Sequence, residues 1–484
     1  MASIKKIVLS GFFWSIINQM SITLTGLVIS GVLSRLVSPS EYGIVAMVTL
    51  STGFLNVIKD FGFGAALVQK KVVSDAEYST VFWFNMIIGA SLTLLVYAAA
   101  PYIGAFFREP MVERVMKALS FTFTLNSIGI IWSNKLTKRV AFKQIFYRNF
   151  VATLIAGICA VILAFQGFGV WVLVSQIYIS MTVNSFLNFV QVRWLPTFTM
   201  KKVYIKDLIR FGLPLLADQS INYWARNIDN LLVGRMLGKD TLAYYSKAYN
   251  LMLLPVKQLT TTLTKVLFPS FSMIQDNKAQ IAQIYLKISG VVAFIAFPMM
   301  ICLSLLAEPL ILIVYGNNWR QVIPIFKILS ILGMFQSLLA MSGNIYLSLG
   351  KTKMMFKIGL FSRTTVIAGL VTGLYLHGIM GMVYGYCMAS GSVFFPELYF
   401  IGKLINLSLK TIILNFIPYL LLASCCYICV RLGFHRLHLP LVLDFIVQGL
   451  CFGSLYLLLN YLFKTKAFTN IYTLVKERKT MTNI

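Results

Sequence analysis

Polar residues within an otherwise apolar stretch near position 220 are the ones whose types and spacing could do chemistry. Spaced by four, four and three residues, they are Asp218, Asn222, Arg226 and Asp229. These spacings place all four on one face of an α-helix. Arg binds phosphate through paired N–H donors, and a carboxylate can bind a proton or a sodium ion. The stripe therefore predicts a polar cavity wall that binds ions or phosphate.

Further ionisable residues fall in neighbouring apolar stretches. The cations that could hold an anionic head group such as a pyrophosphate are Arg226, Lys247, Lys257, Lys59 and Arg363. The residues that could line the same cavity or bind a coupling H+ or Na+ are Asp218, Asn222, Asp229, Asp60, Glu397 and Asn18. Charge inside a membrane helix is costly and normally faces a bundle interior or a wet cavity. Alternatively, these side chains pair with each other to fix helix packing, or snorkel from helix ends.

The helices that must position these residues follow from composition. Of 484 residues, 58% are hydrophobic and only 12% are charged, whereas about a quarter are charged in soluble domains. A spanning helix needs about 20 mainly apolar residues. We therefore predict an all-α integral membrane protein with about 14 transmembrane helices. The predicted spans are 8–36, 42–67, 79–107, 111–133, 146–165, 168–192, 208–237, 240–270, 285–305, 323–349, 354–376, 379–402, 410–432 and 441–463.

The basic residues indicate the orientation of these spans. The net charge is +27, from 42 Lys and Arg against 15 Asp and Glu. With the N-terminus inside, the cytoplasmic segments hold about three times as many Lys and Arg residues as the outer loops, and Arg148 is counted among the former. This bias predicts a multi-pass protein with both termini cytoplasmic. Because the basic residues form short runs between apolar segments, no nucleic-acid partner is expected.

Catalytic motifs are missing from the sequence, and the loops are too short to hold a soluble catalytic domain. GxxxxGK[ST], GxSxG and HExxH do not occur. The seven Cys residues lie in apolar stretches, which fits helix packing better than metal binding. The prediction is a transporter rather than an enzyme, with no cofactor and no metal.

A weak internal repeat suggests two halves. At an offset of 200 residues, Asn18-Gln19 aligns with Asp218-Gln219; at an offset of 210, the segment 117–127 aligns with 327–337. These matches predict a six-helix lobe at 1–200, a second at 201–405, and two additional helices with a basic cytoplasmic tail at 406–484. Such paired halves commonly hold the substrate at their interface. The alternative is chance similarity among apolar helices.

Four stretches resemble Wzx-type polysaccharide flippases. They correspond to the loop between the first two helices, the end of the second, the seventh with its exit, and the end of the eighth. In order, these stretches are RLVSPSEYGIVAM (Arg35–Met47), KDFGFGAALVQ (Lys59–Gln69), RNIDNLLVGRMLG (Arg226–Gly238) and LFPSFSMIQDN (Leu267–Asn277). Length, helix count and short loops are also similar to that family, and exporters of colanic-acid-type exopolysaccharides resemble the chain most.

This resemblance implies the multidrug/oligosaccharidyl-lipid/polysaccharide (MOP) exporter superfamily, with two six-helix lobes around a central cavity. It also implies a flippase in the bacterial cytoplasmic (inner) membrane that moves undecaprenyl-pyrophosphate-linked oligosaccharide repeat units to the outer leaflet by alternating access. The implied substrate is the lipid-linked oligosaccharide, its pyrophosphate gripped by the cavity cations. The implied partner is a polysaccharide polymerase or synthesis complex.

Three alternatives stay open at this point. A cation-coupled multidrug antiporter of the same superfamily usually has fewer helices and a less cationic cavity. A membrane polysaccharide polymerase or glycosyltransferase would need a catalytic loop of some size outside the membrane. A scaffold for a synthesis complex, without transport, is also compatible with the sequence.

Overall fold

The computed structural model describes the backbone of residues 2–60, 67, 70, 72–434 and 439–470. Side chains are described over the same ranges, with the exception of 2–10, 12, 60, 202, 206–215, 217, 218, 221, 225, 261–266, 268 and 269.

Regular secondary structure in these ranges is helical throughout. The α-helices in the first part of the chain are α1 Ala2–Leu36, α2 Pro39–Asp60, α3 Asp75–Phe107, α4 Pro110–Ser120, α5 Thr122–Lys138, α6 Phe142–Phe165, α7 Val170–Val192 and α8 Lys202–Met273. Those in the second part are α9 Lys278–Leu305, α10 Ala307–Val314, α11 Val322–Leu339, α12 Ser342–Ser348, α13 Thr352–Leu404, α14 Leu409–Phe434 and α15 Leu441–Leu462. A short 3₁₀ turn, Asn317–Trp319, separates α10 from α11.

Eleven helical segments of the described chain are long and apolar enough to cross a membrane. One of them, Thr352–Leu404, covers two of the predicted spans, 354–376 and 379–402. The predicted spans 208–237 and 240–270 both lie in α8, which is not among the eleven. The prediction of an all-helical, multi-pass membrane protein is confirmed.

Two long helices are interrupted where the sequence predicts a change of span. In α8 the break is at Gly238 (φ 85°, ψ −178°), and in α13 it is at His377 and Gly378 (φ 58°, ψ −140° for the glycine). A positive φ is strained for residues with a Cβ and favours glycine. Each of these helices therefore contains two straight segments joined by a glycine turn.

The two arms of α13 pack backbone to backbone. A Cβ on Gly373 would overlap the carbonyl oxygen of Gly381, and a Cβ on Gly385 would overlap that of Gly369. Small residues spaced by four allow membrane helices to approach closely. The arms on either side of Gly378 therefore form a tight antiparallel hairpin.

The start of α2 is specified by a capping box in the sequence SPSE. The Ser38 amide N–H donates to Oε2 of Glu41 at 2.7 Å, and the Ser38 hydroxyl donates to the same oxygen at 2.8 Å. Pro39 is the first helical residue, where a missing N–H costs nothing. The Glu41 N–H in turn donates to the Ser38 hydroxyl at 3.4 Å. The backbone N–H groups of Ser38 and Glu41, which have no intrahelical partners, are thereby satisfied.

The chain forms two compact units. The first contains Met1–Ala243 and Val314–Asn318, and the second contains Tyr244–Ile313 and Trp319–Ile484. In the first unit, α6 packs on α1 and α7, and α5 packs on α3 and α7. In the second, α9 packs on α11 and α14, and α11 packs on α13. The lobe limits 1–200, 201–405 and 406–484 stay a prediction.

Candidate functional site

In the first unit, the stripe-bearing part of α8 lies directly on α2. The hydroxyl of Tyr223 donates to the carbonyl oxygen of Leu50 at 2.5 Å. The ring of Phe54 lies 5.4 Å from that of Trp224. A Cβ on Gly53 would overlap the Tyr223 hydroxyl. The stripe is therefore held on a helix whose aromatic side is fixed against α2.

The two helices run antiparallel. Near the other end of the contact, a Cβ on Gly43 would overlap the carbonyl oxygen of Lys239, the residue after the break at Gly238. Residue numbers thus rise along α2 while they fall along α8. This antiparallel pairing determines which residues of α2 and α8 lie at the same height along the two helix axes.

The stripe itself contains exposed and buried members. Asn222 and Arg226 are exposed, whereas Asp229 is buried, with 3% of its surface exposed. A carboxylate oxygen of Asp229 accepts from the Asn230 backbone N–H at 2.8 Å. The side chain of Asp218 lies outside the described residues. Arg226 is therefore available to a ligand, while Asp229 is enclosed by protein.

On α2, Lys59 is a buried cation, 6% exposed. Its ammonium donates to Oδ1 of Asn56 at 3.5 Å, and the side chain of the following residue, Asp60, lies outside the described residues. Lys59 lies on the side of the Gly53–Tyr223 contact that is nearer the start of α8. Arg226 lies on the opposite side, nearer the break at Gly238. The offset is about nine residues, or roughly 14 Å of helix. The two cations therefore lie at different levels of the α2–α8 pair.

The remaining predicted residues belong to the second unit. Lys247 is half-buried, and its ammonium lies 5.1 Å from the ring centroid of the fully buried Trp319. A cation at this distance is attracted by the ring's negative face. Lys257, further along the same helix, is exposed. The second part of α8 therefore carries one lysine held on an aromatic ring and one that faces outward.

The two predicted residues of α13 lie on different arms of the hairpin. The hydroxyl of Ser362 donates to Oε1 of Glu397 at 2.5 Å, across the pair of arms. Glu397 is half-buried and Arg363 is exposed. The described residues include no salt bridge to this carboxylate. Glu397 is thus a hydroxyl-bound carboxylate beside an exposed cation.

The structure also forms a polar cluster that the sequence prediction missed. Arg148 on α6 is 8% exposed. Its guanidinium donates to Oδ1 of Asn188 at 2.6 Å, to the Ser133 hydroxyl at 3.2 Å and to Oδ1 of Asn149 at 2.7 Å and 3.0 Å. The Asn149 amide donates to Oδ1 of Asn18 at 3.2 Å. Asn18, a predicted site residue, is therefore connected to a buried cation through one amide.

Beside this cluster, residues of α5, α6 and α7 line an open cavity of about 300 Å³. Arg148 lines it together with the polar residues Asn126, Ser133, Asn149, Ser180, Asn184, Ser185 and Asn188. A signal for it exists in the sequence, because Asn184 and Asn188 are four residues apart in an apolar stretch and face the same side of α7. The charge-bias argument assigned Arg148 to a cytoplasmic segment. The sequence prediction therefore did not place Arg148 in a polar site between helices.

The cationic side chains described above can bind anionic ligands. Guanidinium and ammonium groups bind phosphates and carboxylates through charge-assisted hydrogen bonds. Among the described residues, no group of three or more His, Cys, Asp or Glu side chains converges in a way that could hold a metal ion. The exposed cations Arg226, Lys257 and Arg363 are therefore groups that could bind an anion.

The family model described as "Polysaccharide biosynthesis protein" matches residues 32–324, which is more than half of the chain. The chain belongs to this polysaccharide biosynthesis family. The match includes α2, α8 and the cavity between α5, α6 and α7, whereas Arg363 and Glu397 on α13 lie beyond it.

Proteins from three bacteria are similar to this chain over about two thirds or more of its length. The lipopolysaccharide biosynthesis protein WzxC of Escherichia coli (strain K12) is 26% identical over 80% of this chain and 79% of its own length. The teichuronic acid biosynthesis protein TuaB of Bacillus subtilis (strain 168) is 26% identical over 74% of each chain. The succinoglycan biosynthesis transport protein ExoT of Rhizobium meliloti (strain 1021) is 24% identical over 66% of this chain and 64% of its own.

Solved structures show the same fold. The lipid II flippase MurJ in an inward closed conformation superposes with a TM-score of 0.74 at 17% identity, covering 93% of this chain and 98% of MurJ. An inward-facing multidrug resistance MATE family transporter of the MOP superfamily superposes with a TM-score of 0.58 at 18% identity, covering 80% and 98%. The Wzx-type resemblance and the MOP superfamily fold are confirmed. The chain is a multi-pass membrane transporter of polysaccharide biosynthesis and not an enzyme.

Proposed function

We propose that this protein is a flippase for lipid-pyrophosphate-linked oligosaccharide repeat units, moving them from the cytoplasmic to the outer leaflet of the bacterial inner membrane by alternating access. The observation that carries the proposal is Arg226, an exposed guanidinium on a helix otherwise packed by aromatic residues. An exposed guanidinium is available to bind an anion, and a pyrophosphate offers paired oxygens for its donors. The similarity to a succinoglycan biosynthesis transport protein supports a polysaccharide precursor as the cargo.

The predicted site residues take different roles in this proposal. The exposed cations, Arg226 in the first unit and Lys257 and Arg363 in the second, are assigned to head-group binding. Lys59 and Lys247 are more enclosed, and each adds positive potential within its own unit. Asp229 and Glu397 are enclosed carboxylates suited to a coupling H+ or Na+, whereas Asp218, Asn222, Asp60 and Asn18 supply polar lining.

The finer parts of the proposal concern cargo, orientation and partner. We assign the cargo to exopolysaccharide repeat units, following the resemblance to colanic-acid-type exporters. Both termini are assigned to the cytoplasm, because that orientation leaves most Lys and Arg residues inside. A polysaccharide polymerase or synthesis complex would receive the repeat unit after transfer.

The test is transfer in proteoliposomes. Purified protein is reconstituted with a labelled lipid-pyrophosphate oligosaccharide, and a membrane-impermeant enzyme reports the label that reaches the far leaflet. We expect protein-dependent transfer that falls at least about tenfold in Arg226→Ala and is partly retained in Arg226→Lys, which keeps the charge. Arg114→Ala is the matched control, because Arg114 is an exposed arginine on α4 that is not among the predicted head-group residues.

Two results would contradict the proposal. Equal transfer by wild type and Arg226→Ala would remove the head-group role of this residue. Absence of lipid transfer, together with protein-dependent movement of small organic cations, would favour the multidrug-antiporter alternative, whose fold the chain shares.

A further inference from the structure

Arg148 is a buried cation whose charge is not neutralised within its own site. Its four hydrogen bonds all go to neutral oxygens: two to the Asn149 amide, one to the Asn188 amide and one to the Ser133 hydroxyl. In the part of the chain that the structure describes, no carboxylate forms a salt bridge with it. Neutral acceptors satisfy N–H groups but leave the full positive charge in place.

Such a charge is costly unless something compensates it. Burying an ionised group in a medium of low polarity has a large desolvation penalty, which an opposite charge at short distance offsets. A guanidinium keeps its proton, so it cannot escape the penalty by becoming neutral. The site is therefore a stable source of positive potential that favours an incoming anion.

The cavity beside Arg148 has donors left for such an anion. The side chains of Asn126 and Ser185 line it and make no hydrogen bond with the rest of the described structure. Four of the five guanidinium N–H groups are used, which leaves one donor on the guanidinium itself. The positive charge of Arg148 and the unused hydrogen-bond donors therefore line the same polar cavity.

We propose that this cavity is an oxyanion site, separate from the head-group surface on α8. Its ligand is a carboxylate carried by one acidic sugar of the transported oligosaccharide, or a small inorganic oxyanion. The volume of about 300 Å³ is at the lower limit for ligand pockets, which suits a single sugar residue or a small oxyanion. The sugar source rests on the proposed function; the inorganic source does not.

Asn188→Asp provides a variant that tests the charge argument directly. The change is nearly isosteric, and it puts a carboxylate oxygen where Oδ1 of Asn188 now accepts from Arg148 at 2.6 Å. An internal counter-ion should therefore replace the external one. We expect Asn188→Asp to melt at a higher temperature than wild type without added anion, and to lose the stabilisation that anions give.

The experiment measures the melting temperature of purified, detergent-solubilised protein in a buffer of large organic ions. The ligands are titrated separately: glucuronate, its neutral analogue glucose, inorganic phosphate and sulfate. We expect anions to raise Tm in wild type, with an apparent affinity reduced at least about tenfold in Arg148→Gln. Arg114→Gln is the matched control, because Arg114 is an exposed arginine on α4 that is assigned to neither binding site, and it should keep the anion effect.

Each outcome decides something. An effect of glucuronate but not of phosphate or sulfate assigns the site to an acidic sugar, and the reverse assigns it to an inorganic oxyanion. If wild type and Asn188→Asp respond equally to every anion, or no anion acts on wild type, the inference is wrong. Because the assay needs no transport, its result is independent of lipid transfer by the same preparation.

Discussion

Two arginines of the first unit illustrate two ways of holding positive charge in a membrane protein. Arg226 is exposed on α8, on a helix anchored by aromatic contacts to α2. Arg148 is buried on α6 and is surrounded by amides and hydroxyls from α5, α6 and α7. The first is positioned by packing of its neighbours, and the second by hydrogen bonds of its own.

This difference has consequences for stability and transport. Removing an exposed cation leaves the surrounding packing intact, so its loss should affect ligand binding alone. Removing a partner of a buried cation leaves donors unsatisfied, so its loss should affect folding. Mutations that separate these two effects are the most direct way to test the comparison.

The largest effect is expected where α2 and α8 touch through backbone. Gly43→Val would place a branched side chain against the carbonyl oxygen of Lys239, which belongs to backbone and cannot rotate away. Overpacking of this kind costs about 3 kcal/mol or more. We expect strongly reduced yield of monodisperse protein and a much lower Tm by fluorescence-detected size exclusion. Gly26→Ala is the control, since nothing lies within 4 Å of a Cβ there; equal behaviour of both variants would refute the close contact.

The next effect concerns the polar network. Asn188→Leu removes the acceptor that lies 2.6 Å from Arg148, and it should reduce the free energy of unfolding by about 2 kcal/mol. The double variant Asn188→Leu/Arg148→Met should recover much of this loss, because the charge that needed the acceptor is gone as well. Additive losses in a double-mutant cycle of melting temperatures would mean that the two side chains are not coupled.

For the exposed arginine, transport and stability should separate. Arg226→Ala is expected to lower the rate of lipid transfer about tenfold, equivalent to about 1.4 kcal/mol, with Tm within error of wild type. Measuring both on one preparation in proteoliposomes and in detergent distinguishes a binding role from a structural one. A fall in Tm comparable to that of Asn188→Leu would show that Arg226, like Arg148, contributes to the stability of the fold.

Much of the fold is accessible from hydropathy, because each spanning helix must be long and apolar by itself. The turns at Gly238 and Gly378 fall between predicted spans for this reason. The short helices α4 and α10 were not predicted separately. They lie where FFREPMVER and LAEPLILIVYGNNWRQ mix charged and apolar residues, so hydropathy has no clear edge there. Conformations such as the left-handed Arg108 at the end of α3 depend on local geometry that hydropathy does not measure.

For the site, the sequence describes single helix faces better than contacts between helices. The spacing of Asn222 and Arg226 predicts a shared face, and both are exposed. The environment of Arg148 depends on Ser133 and Asn188, which lie 15 and 40 residues away. Periodicity within one helix contains no information on such pairs. Counting Arg148 toward the positive-inside bias also assumed that an arginine near a helix start faces the aqueous phase.

The smallest effect we predict compares two lysines of the second unit and extends the contrast between held and exposed cations. Lys247 lies 5.1 Å from the ring centroid of buried Trp319, whereas Lys257 is exposed on the same helix. A cation–π contact contributes about 1 kcal/mol, and Met keeps much of the aliphatic stem while removing the charge. Lys247→Met should therefore lower Tm slightly, and Lys257→Met should leave Tm unchanged. In the transport assay, Lys257→Met should lower lipid transfer at least as much as Lys247→Met. The opposite ranking in both assays would mean that Lys247 is the ligand-binding lysine and that its ring contact does not hold it away from the substrate.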